Sequence, residues 1–382
     1  MRILHFVHDQ FFIPWLISTF RYLGTDSRFV CLYEGMPSRK CISEANGVEF
    51  IEIGSSAYHR LVDEKSYDVV WLHPLMPERV RFVNELKDKS TIIVWSSWGA
   101  DLYGLLGNRL LGWRTTLKWS KSVSFIKIIK TTVRHLIVGM GLRKLVWPQG
   151  YRRFMKHIDF FSMVIDNEGA LARKLLPKNA KQVSFHYTCL SAKNDDQQTL
   201  PACDSNAHCI WVGNSATFTN NYFDVFPILK RYHDYHIYAP LSYGPDGAIV
   251  DEEGRRCFGE HWHPYFDFVP VDEYRRRMTK CSIFVFGHYR QGGLGNILIA
   301  LKVGGCVFLS PRNPVYQFLL DNGITIYTLQ DLNKRLMEVL IDFKSKRSAN
   351  MDRARQIWSR DVMEHNIRNT IEILEKEVRR RG

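Results

Sequence analysis

Short apolar runs alternate with amphipathic segments through the first hundred residues of the chain. Each run is bounded by polar or turn residues and has the length of a strand buried on both faces. The runs lie at 2–8, 28–33, 48–53, 68–72 and 91–95. Helix-compatible segments lie between them, notably up to Leu23 and at 78–87. This alternation predicts a β-α-β opening and a parallel, doubly wound sheet in the N-terminal half.

A second α/β pattern follows a polar segment at 191–206, which we interpret as an interdomain linker. Predicted strands and helices alternate again, in the order 209–212, 222–232, 236–239, 273–279, 282–286, 296–303, 306–309, 315–321 and 324–327. The 382 residues suffice for two cores. We therefore predict domains at 1–195 and 205–382. The charged helical tail from Leu332 either packs back across a cleft or lies at the periphery.

Positive charge changes this picture, because the formal net charge is +13. Such an excess implies an anionic partner: nucleic acid, lipid headgroups or a diphosphate. Between Asp101 and Asp159 there is no acidic residue, but there are twelve Lys and Arg residues interleaved with apolar and aromatic ones. We expect region 104–156 to form an interfacial helix on an anionic membrane surface. The alternative is a solvated basic face over an ordinary core stripe. No nucleic-acid-binding motif accompanies the charge, so nucleic acid is not an expected partner.

Location and metal chemistry are constrained by what the sequence lacks. The N-terminus has neither the long apolar core nor the cleavage site of a secretory signal, which favours the cytosol. The eight cysteines include no C-x-x-C pair, so neither a zinc nor a redox motif is indicated. No Asp-x-Asp triplet occurs. We therefore expect a metal-independent mechanism, with no metal ligands and no cofactor besides a nucleotide-linked substrate.

Two glycine-containing loops are candidates for binding a diphosphate. Residues 287–295 join a buried strand to a helix, so that backbone amides and the helix N-terminus can approach an anion, and Arg290 offers a bidentate cation. Gly213, Asn214 and Ser215 follow the first strand of the same domain, where an open parallel sheet places its ligand. Simple strand-to-helix geometry, or a helix cap, is the alternative for each loop.

Three polar residues follow predicted strands of the N-terminal domain. Asp101 comes after 91–95, Asp9 after the first strand and His73 after 68–72. A carboxylate or imidazole at the carboxyl end of a strand can act as a general base or bind sugar hydroxyls. We name Asp101 first as the catalytic residue, with Asp9 and His73 as alternatives. Each could instead be a cap, a turn or a satisfied core group.

Several short motifs, in the same order, resemble the 4-acetamido-4,6-dideoxygalactose (Fuc4NAc) transferases. They are Trp98-Gly-Ala-Asp-Leu-Tyr, Gly213-Asn-Ser, Arg290-Gln-Gly-Gly-Leu-Gly, Gly304-Gly-Cys-Val and Arg312-Asn-Pro. The resemblance implies a GT-B glycosyltransferase, with two Rossmann-like domains facing a cleft. Such an enzyme would move the sugar from dTDP to an undecaprenyl-diphosphate-linked saccharide at the cytoplasmic face of the bacterial inner membrane, as a peripheral protein.

The resemblance also implies roles for individual residues. His73 matches a histidine of the family, and Pro240 and Tyr243 would frame the nucleotide base. The full donor-binding prediction comprises Gly213, Asn214, Ser215, Pro240, Tyr243, Arg290, Gln291, Gly292, Gly293, Gly295, Asn296 and Asn313. The chain departs from the family in reading Gln-Gly-Gly where relatives tend to read Gln-Gln-Gly, and in its longer basic region.

Two other functions fit the same sequence. One is a GT-B transferase that uses a GDP- or UDP-sugar in capsule or O-antigen synthesis, with the same sites. The other, from a different class, is a non-catalytic, membrane-associated protein that binds nucleotides or polyanions.

Overall fold

The computed structural model describes residues 1–10, 12–64, 67–86, 88, 90–187 and 201–382. The chain forms two compact units. Unit 1 consists of Met1–Asn108, Arg134–Asn194 and Ser359–Gly382, and unit 2 of Arg109–Val133 and Asp195–Trp358. The predicted linker lies outside the described residues as far as position 200. The units differ from the predicted ranges at two segments, since 109–133 groups with the second unit and 359–382 with the first.

Unit 1 is built on a sheet of seven parallel strands. The strands are β1 (Arg2–Phe6), β2 (Asp26–Tyr33), β3 (Val48–Glu52), β4 (Val69–Leu72), β5 (Ile92–Ser96), β6 (Phe160–Ser162) and β7 (Lys181–Gln182). Their spatial order is β3-β2-β1-β4-β5-β6-β7. The five predicted runs coincide with β1 to β5. The last two strands were not predicted, because three and two residues are too short to show a pattern.

Helices connect these strands and continue through the basic region. They are α1 (Ile13–Tyr22), α2 (Ser56–Asp63), α3 (Pro77–Glu85), α4 (Ala100–Leu106), α5 (Trp113–Ser122), α6 (Phe125–Gly139), α7 (Tyr151–Phe154) and α8 (Gly169–Ala172). Strand β4 (VVWL) is buried along its whole length, as expected for a parallel strand covered on both faces.

Unit 2 is built on a second, wholly parallel sheet of six strands. They are β8 (Cys209–Val212), β9 (His236–Pro240), β10 (Trp262–Tyr265), β11 (Ile283–Phe286), β12 (Cys306–Leu309) and β13 (Tyr327–Thr328), in the spatial order β10-β9-β8-β11-β12-β13. Sequence patterning missed β10, whose residues WHPY contain a proline and a histidine. The run predicted at 324–327 forms a strand only at its end.

The helices of the second half include the two longest ones among the described residues. They are α9 (Tyr222–Leu229), α10 (Gly247–Phe258), α11 (Val271–Met278), α12 (Leu294–Lys302), α13 (Pro314–Asp321), α14 (Leu329–Ile357) and α15 (Arg360–Arg381). Together with the sheets they give two doubly wound α/β units, as the sequence predicted.

Packing explains both departures from the predicted domain ranges. In the basic region, Leu111 and Trp119 pack against the core of unit 2, and Thr115 of α5 is fully buried. The tail divides: α14 contributes buried residues such as Leu332 to the core of unit 2, whereas α15 buries Leu374 and bonds Thr370 to the backbone of Ser184 in unit 1. Within the described residues, no helix is long and apolar enough to span a membrane.

Candidate active site

Each sheet has a point at which the chain reverses the direction in which it adds strands. In unit 1 this point lies between β1 and β4, and in unit 2 between β8 and β11. Helices leave to opposite faces there, so that a crevice opens at the carboxyl edge of the sheet, which is the edge where the strands end. The predicted donor-binding loops and the predicted catalytic residues both follow strands at these edges.

The two predicted diphosphate-binding loops meet in unit 2. The amide of Gly213 donates to the carbonyl of Val285 at 2.9 Å, which joins the ends of β8 and β11. A Cβ atom on Gly293 would lie 3.4 Å from Cγ of Asn214, so these loops are in contact. Gly213 has φ +71°, and a Cβ there would come within 2.3 Å of the Tyr222 hydroxyl. Glycine is therefore required at this position by both conformation and space.

Asn220 fixes the loop that follows β8. Its Oδ1 accepts from the amide of Asn214 at 3.0 Å, and its Nδ2 donates to the carbonyl of Ser215 at 2.9 Å. Asn220 is buried, and motif reasoning missed it. Its side chain therefore links the amide of Asn214 to the carbonyl of Ser215 within the predicted Gly213-Asn214-Ser215 turn.

The loop after β11 carries Arg290 and Gln291 to the start of α12. Arg290 is partly exposed, and its guanidinium donates to the carbonyl of Gln291 at 2.9 Å. Gly293, with φ +68°, precedes the first turn of α12, where Gly295 and Asn296 lie. The unsatisfied amides of a helix start favour an anion. A cation and a helix N-terminus thus occur together beside the turn at 213–215.

Two buried side chains near this loop carry polar atoms with no hydrogen-bond partner among the described residues. They are Nδ1 of His288 and Nδ2 of Asn313. Burial lowers the pKa of His288 to about 3, with a further contribution from Arg290, so this imidazole is neutral at physiological pH. Asn313 caps α13 through its Oδ1, which accepts from the amide of Val315 at 3.1 Å. Buried polar atoms left over in this way are suited to hydrogen bonding with a ligand.

The other predicted donor-binding residues are less closely grouped. Pro240 ends β9 and is buried. The Tyr243 side chain is exposed, but its carbonyl accepts from the amide of Ala216 at 2.6 Å, so the loops after β8 and β9 are adjacent. The Asn296 side chain forms a hydrogen bond with the hydroxyl of Tyr274 on α11.

The three predicted catalytic residues all lie at the carboxyl edge of unit 1. Asp9 is almost completely buried, and both of its oxygens are occupied. It accepts from the hydroxyl of Ser38 at 2.5 Å and from the amides of Lys40, Cys41 and Ile42 at 2.7 to 3.0 Å. Burial alone would raise the pKa of Asp9, but these hydrogen bonds outweigh it and lower the pKa. In this structure Asp9 fixes the loop at 38–42.

Asp101 has a similar arrangement in the first turn of α4. Its Oδ1 accepts from the hydroxyl of Ser97 at 2.8 Å and the amide of Trp98 at 3.1 Å. Its Oδ2 accepts from the amide of Leu75 at 3.0 Å and the indole of Trp95 at 2.8 Å. One carboxylate thereby joins the end of β5, the start of α4 and the loop after β4.

His73 is fully buried in a chain of hydrogen bonds. Its Nε2 lies 3.1 Å from Nδ1 of His5, whose Nε2 lies 3.2 Å from the Ser27 hydroxyl. Its Nδ1 lies 2.5 Å from the Tyr187 hydroxyl. Burial lowers the pKa of His5 to about 3, and burial together with His5 lowers that of His73. Two neutral imidazoles therefore connect the interior of unit 1 to the partly exposed ring of Tyr187.

His8, which motif reasoning missed, lies at the same edge directly after β1. Its ring is 6.3 Å from that of Trp98. Among the described residues no hydrogen bond holds its imidazole. Its pKa is lowered by burial and by Arg79, against the opposing effect of Asp9. A neutral, partly exposed imidazole at a switch point can accept a proton, and its position after the first strand was the available signal.

The predicted membrane-facing region carries an exposed apolar face. On α6, the side chains of Phe125, Ile126, Ile129, Val133 and Leu136 are 46% to 74% exposed. Lys127 and Lys130 lie on the same helix and are also exposed. No residue of α6 is buried. The described residues contain no group of three His, Cys, Asp or Glu side chains that could hold a metal ion.

Solved structures with the same architecture include glycosyltransferases and related synthases. A sucrose-phosphate synthase from Thermosynechococcus elongatus has a TM-score of 0.64 at 10% identity, covering 98% of this chain and 99% of that chain. A glycosyltransferase from Rickettsia africae has a TM-score of 0.61 at 10% identity, covering 99% and 98%. HepE of Anabaena, solved with UDP, has a TM-score of 0.61 at 10% identity, covering 97% and 100%. No family model matches the chain. The likeness confirms the predicted GT-B fold.

Proposed function

We propose that this protein is a glycosyltransferase that takes a sugar from a nucleotide diphosphate bound by unit 2. The observation that carries the proposal is the meeting of the loops at 213–215 and 290–293 at the switch point of the six-stranded sheet. HepE, which shares the fold, was solved with UDP. Arg290 and the start of α12 would balance the charge of the departing diphosphate.

The donor is proposed to be a dTDP-linked 6-deoxy sugar of the Fuc4NAc or fucose type, and the acceptor a lipid-linked saccharide. Both rest on the resemblance of the short motifs. Nucleotide-dependent thermal shifts with dTDP, UDP, GDP and CMP test the donor, because a ligand of the native state raises its stability. A response to UDP or GDP alone favours the capsule or O-antigen alternative. No response to any nucleotide contradicts the proposal.

Arg290→Ala tests the diphosphate site directly. We expect nucleotide affinity, measured by titration calorimetry, to fall at least tenfold, which corresponds to about 1.4 kcal/mol. Arg255→Ala is the matched control, because Arg255 is an exposed arginine of unit 2 paired with Asp251 on α10. An Arg290→Ala variant that binds nucleotide as well as Arg255→Ala does would refute the assignment.

The reaction joins an acceptor hydroxyl oxygen to the anomeric carbon while the bond from that carbon to the diphosphate oxygen breaks. The electron pair leaves with the diphosphate, and the acceptor proton needs a base. We propose that His8 accepts this proton, because its imidazole is neutral and partly exposed. Asp9, Asp101 and His73 are proposed to position the edge of unit 1, since their polar atoms already have partners.

This assignment gives opposite expectations for two variants. His8→Gln should lower kcat by about two to four orders of magnitude with little change in the melting temperature. His73→Gln should lower the melting temperature, because the buried chain of hydrogen bonds through His5 loses the imidazole of His73.

The proposed metal-independent mechanism further requires that transfer continue in excess EDTA. Binding of nucleotide without any transfer, in all variants and the unchanged protein, would favour a non-catalytic nucleotide-binding protein.

We also propose that α6 and its neighbours dock on an anionic membrane surface. The exposed face combines aromatic and aliphatic side chains with lysines, as interfacial helices do. Lysines near such a surface contribute about 1 kcal/mol each. Under this proposal the protein is peripheral at the cytoplasmic face of the inner membrane, where a lipid-linked acceptor is located.

Vesicle sedimentation tests the docking surface. Phe125→Ser should weaken binding to vesicles containing phosphatidylglycerol about tenfold, from the loss of roughly 1.5 kcal/mol of apolar burial. Phe268→Ser is the control, since Phe268 is 85% exposed elsewhere in the chain. Lys130→Gln should weaken binding to anionic but not to neutral vesicles. Equal binding by Phe125→Ser and Phe268→Ser would contradict the proposed surface.

A further inference from the structure

Two side chains of unit 2 each contact both the start of the basic region and the loop that follows β11. They are Asn221 and Arg312. The start of the basic region, Arg109 to Gly112, leads directly into α5. The loop after β11 begins at Gly287 and carries Arg290. All of these contacts lie within unit 2, which contains residues 109–133 of the predicted surface-binding region and the predicted nucleotide-binding loop.

Asn221 makes its two connections with a single buried amide. Its Nδ2 donates to the carbonyl of Gly287 at 2.8 Å and to that of Leu110 at 3.2 Å. Its Oδ1 accepts from the amide of Gly112 at 2.8 Å. The side chain is 1% exposed. These three hydrogen bonds all go to the two segments, so a shift of one backbone segment would move the Asn221 amide that also binds the other segment.

The backbone of Asn221 is also specialised. Its φ of +54° is the only positive value at a non-glycine residue among those described. Asparagine tolerates this left-handed conformation better than most residues, at a cost in free energy that other contacts must offset. The conformation turns the chain between Asn220, which holds the loop after β8, and α9. The Asn220–Asn221 pair thus supports both predicted nucleotide-binding loops.

Arg312 makes the second connection from the loop after β12. Its guanidinium donates to the carbonyl of Arg109 at 3.2 Å and lies over the ring of Tyr289, 3.9 Å from the centroid. Tyr289 directly precedes Arg290. A cation over an aromatic ring is attracted to its face. Arg312 therefore reaches the loop after β11 independently of Asn221.

The start of α5 is held rigidly against this network. Asp224 accepts from the amides of Arg114 and Thr115 at 3.1 and 3.0 Å, which caps the helix. A Cβ atom on Gly112 would come within 2.3 Å of the Asp224 carboxylate. Gly112, which Asn221 binds, directly precedes α5, so a shift of this helix would also displace the backbone at Gly112.

We propose that Asn221 and Arg312 are positioning residues that couple docking of the α5–α6 segment on an anionic lipid surface to nucleotide binding at the loop after β11. The inference rests on the proposed function. Coupling between two binding sites is reciprocal, so the surface raises nucleotide affinity by the same factor by which nucleotide raises surface affinity. The donor would thus be held most tightly by protein that is already at the membrane.

The test measures nucleotide affinity by calorimetry in the absence and presence of vesicles of phosphatidylcholine with phosphatidylglycerol. For the unchanged full-length chain we expect vesicles to raise the affinity for dTDP or UDP at least about fivefold. Asn221→Gly keeps the left-handed backbone but removes the amide, and should bring this ratio close to one. Arg312→Met should do the same at an exposed position where folding is not at risk, and Arg312→Lys should restore part of the ratio.

Glu253→Gln is the matched control. It removes the 3.4 Å ion pair between Lys118 of α5 and Glu253 of α10 without touching the loop after β11. This variant should keep the vesicle-dependent ratio. A role in folding alone would change melting temperatures but not the ratio, so the ratio separates positioning from stability.

The possible outcomes are distinct. Nucleotide and vesicles that bind independently in the unchanged protein overturn the coupling and leave the proposed function intact. A ratio that persists in both Asn221→Gly and Arg312→Met shows that these residues do not carry it, which also overturns the inference. Failure to bind any nucleotide refutes the proposed function, and failure to bind anionic vesicles refutes the proposed docking surface. Either result also overturns the coupling.

Discussion

Replacing Asp101 by asparagine tests whether this carboxylate acts as the catalytic base or has a structural role, because the substitution keeps the shape of the side chain and removes its charge. The asparagine keeps its oxygen toward Leu75 and Trp95, whose two N–H groups cannot accept a hydrogen bond. Its amide then faces Ser97 and the Trp98 amide. The Ser97 hydroxyl can turn to accept, but the Trp98 N–H loses its acceptor.

The expected cost follows from these four bonds. An unsatisfied buried donor costs about 1–3 kcal/mol, and a bond to a charged acceptor is worth about 1 kcal/mol more than one to a neutral acceptor. The bonds from Leu75 and Trp95 keep an oxygen acceptor and lose only its charge, and the site is partly exposed. We therefore expect the free energy of unfolding to fall by about 3 kcal/mol. That is a large part of the total stability of a domain, about 5–15 kcal/mol.

Urea denaturation followed by circular dichroism measures this loss, and release of nucleotide diphosphate from the donor measures turnover of the folded fraction. We expect lower stability with kcat reduced by less than about tenfold. Asp26→Asn is the control, because the Asp26 side chain is 69% exposed and forms a 3.4 Å ion pair with Arg2. This variant should change stability by less than about 0.5 kcal/mol. Unchanged stability with kcat lowered about a thousandfold would instead establish Asp101 as the base.

Two further variants test how unit 1 is held together. The pKa of Asp9 is lowered on folding, so the contribution of this carboxylate to stability is complete above its ordinary pKa of about 3.9 and is lost as pH falls through the lower folded value. Asp9→Asn should therefore flatten the decline of the unfolding free energy below about pH 5. An unchanged acid profile would contradict this role for Asp9. Leu374→Ala should cost about 2–5 kcal/mol, because the side chain is fully buried, whereas Ile373→Ala, at 41% exposed on the same helix, should cost much less; equal melting temperatures would show that α15 does not stabilise unit 1.

The sheets were predictable because buried parallel strands are short, continuous apolar runs. The runs at 68–72 and 282–286 fall on β4 and β11, which are buried throughout. Two edge strands, β7 and β10, gave no such signal, although the edge strand β3 coincides with the predicted run at 48–53. β7 has two residues, and β10 reads WHPY. Edge strands are covered on fewer sides, so their sequences need less apolar character, and their recognition depends on the neighbours that pair with them.

The candidate site was predictable where geometry alone fixes the residue type. Gly213 and Gly293 adopt positive φ at the ends of a strand and before a helix, and glycine marks such positions in the sequence. Asn221 was missed because its partners Leu110 and Gly287 are far away in the sequence. Asn220 was missed although its partners Asn214 and Ser215 are close in the sequence, because no motif marks an asparagine at this spacing. The partners of Asp101 were equally hidden, so the sequence could show a carboxylate at a strand end but not that its oxygens were already occupied.

In the acid-free basic region, partners that are distant in the sequence neutralise part of the positive charge. The first turn of α5 contains no acidic residue of its own, and Asp224 and Glu253 of unit 2 supply the cap and an ion pair. The charge of α5 is therefore partly neutralised by the fold. Lys121 and Lys130, by contrast, form no ion pair with any described residue. Because an unpaired lysine beside exposed apolar side chains is most favourable at an anionic interface, the surface-binding part is expected to begin near the end of α5 and to follow α6.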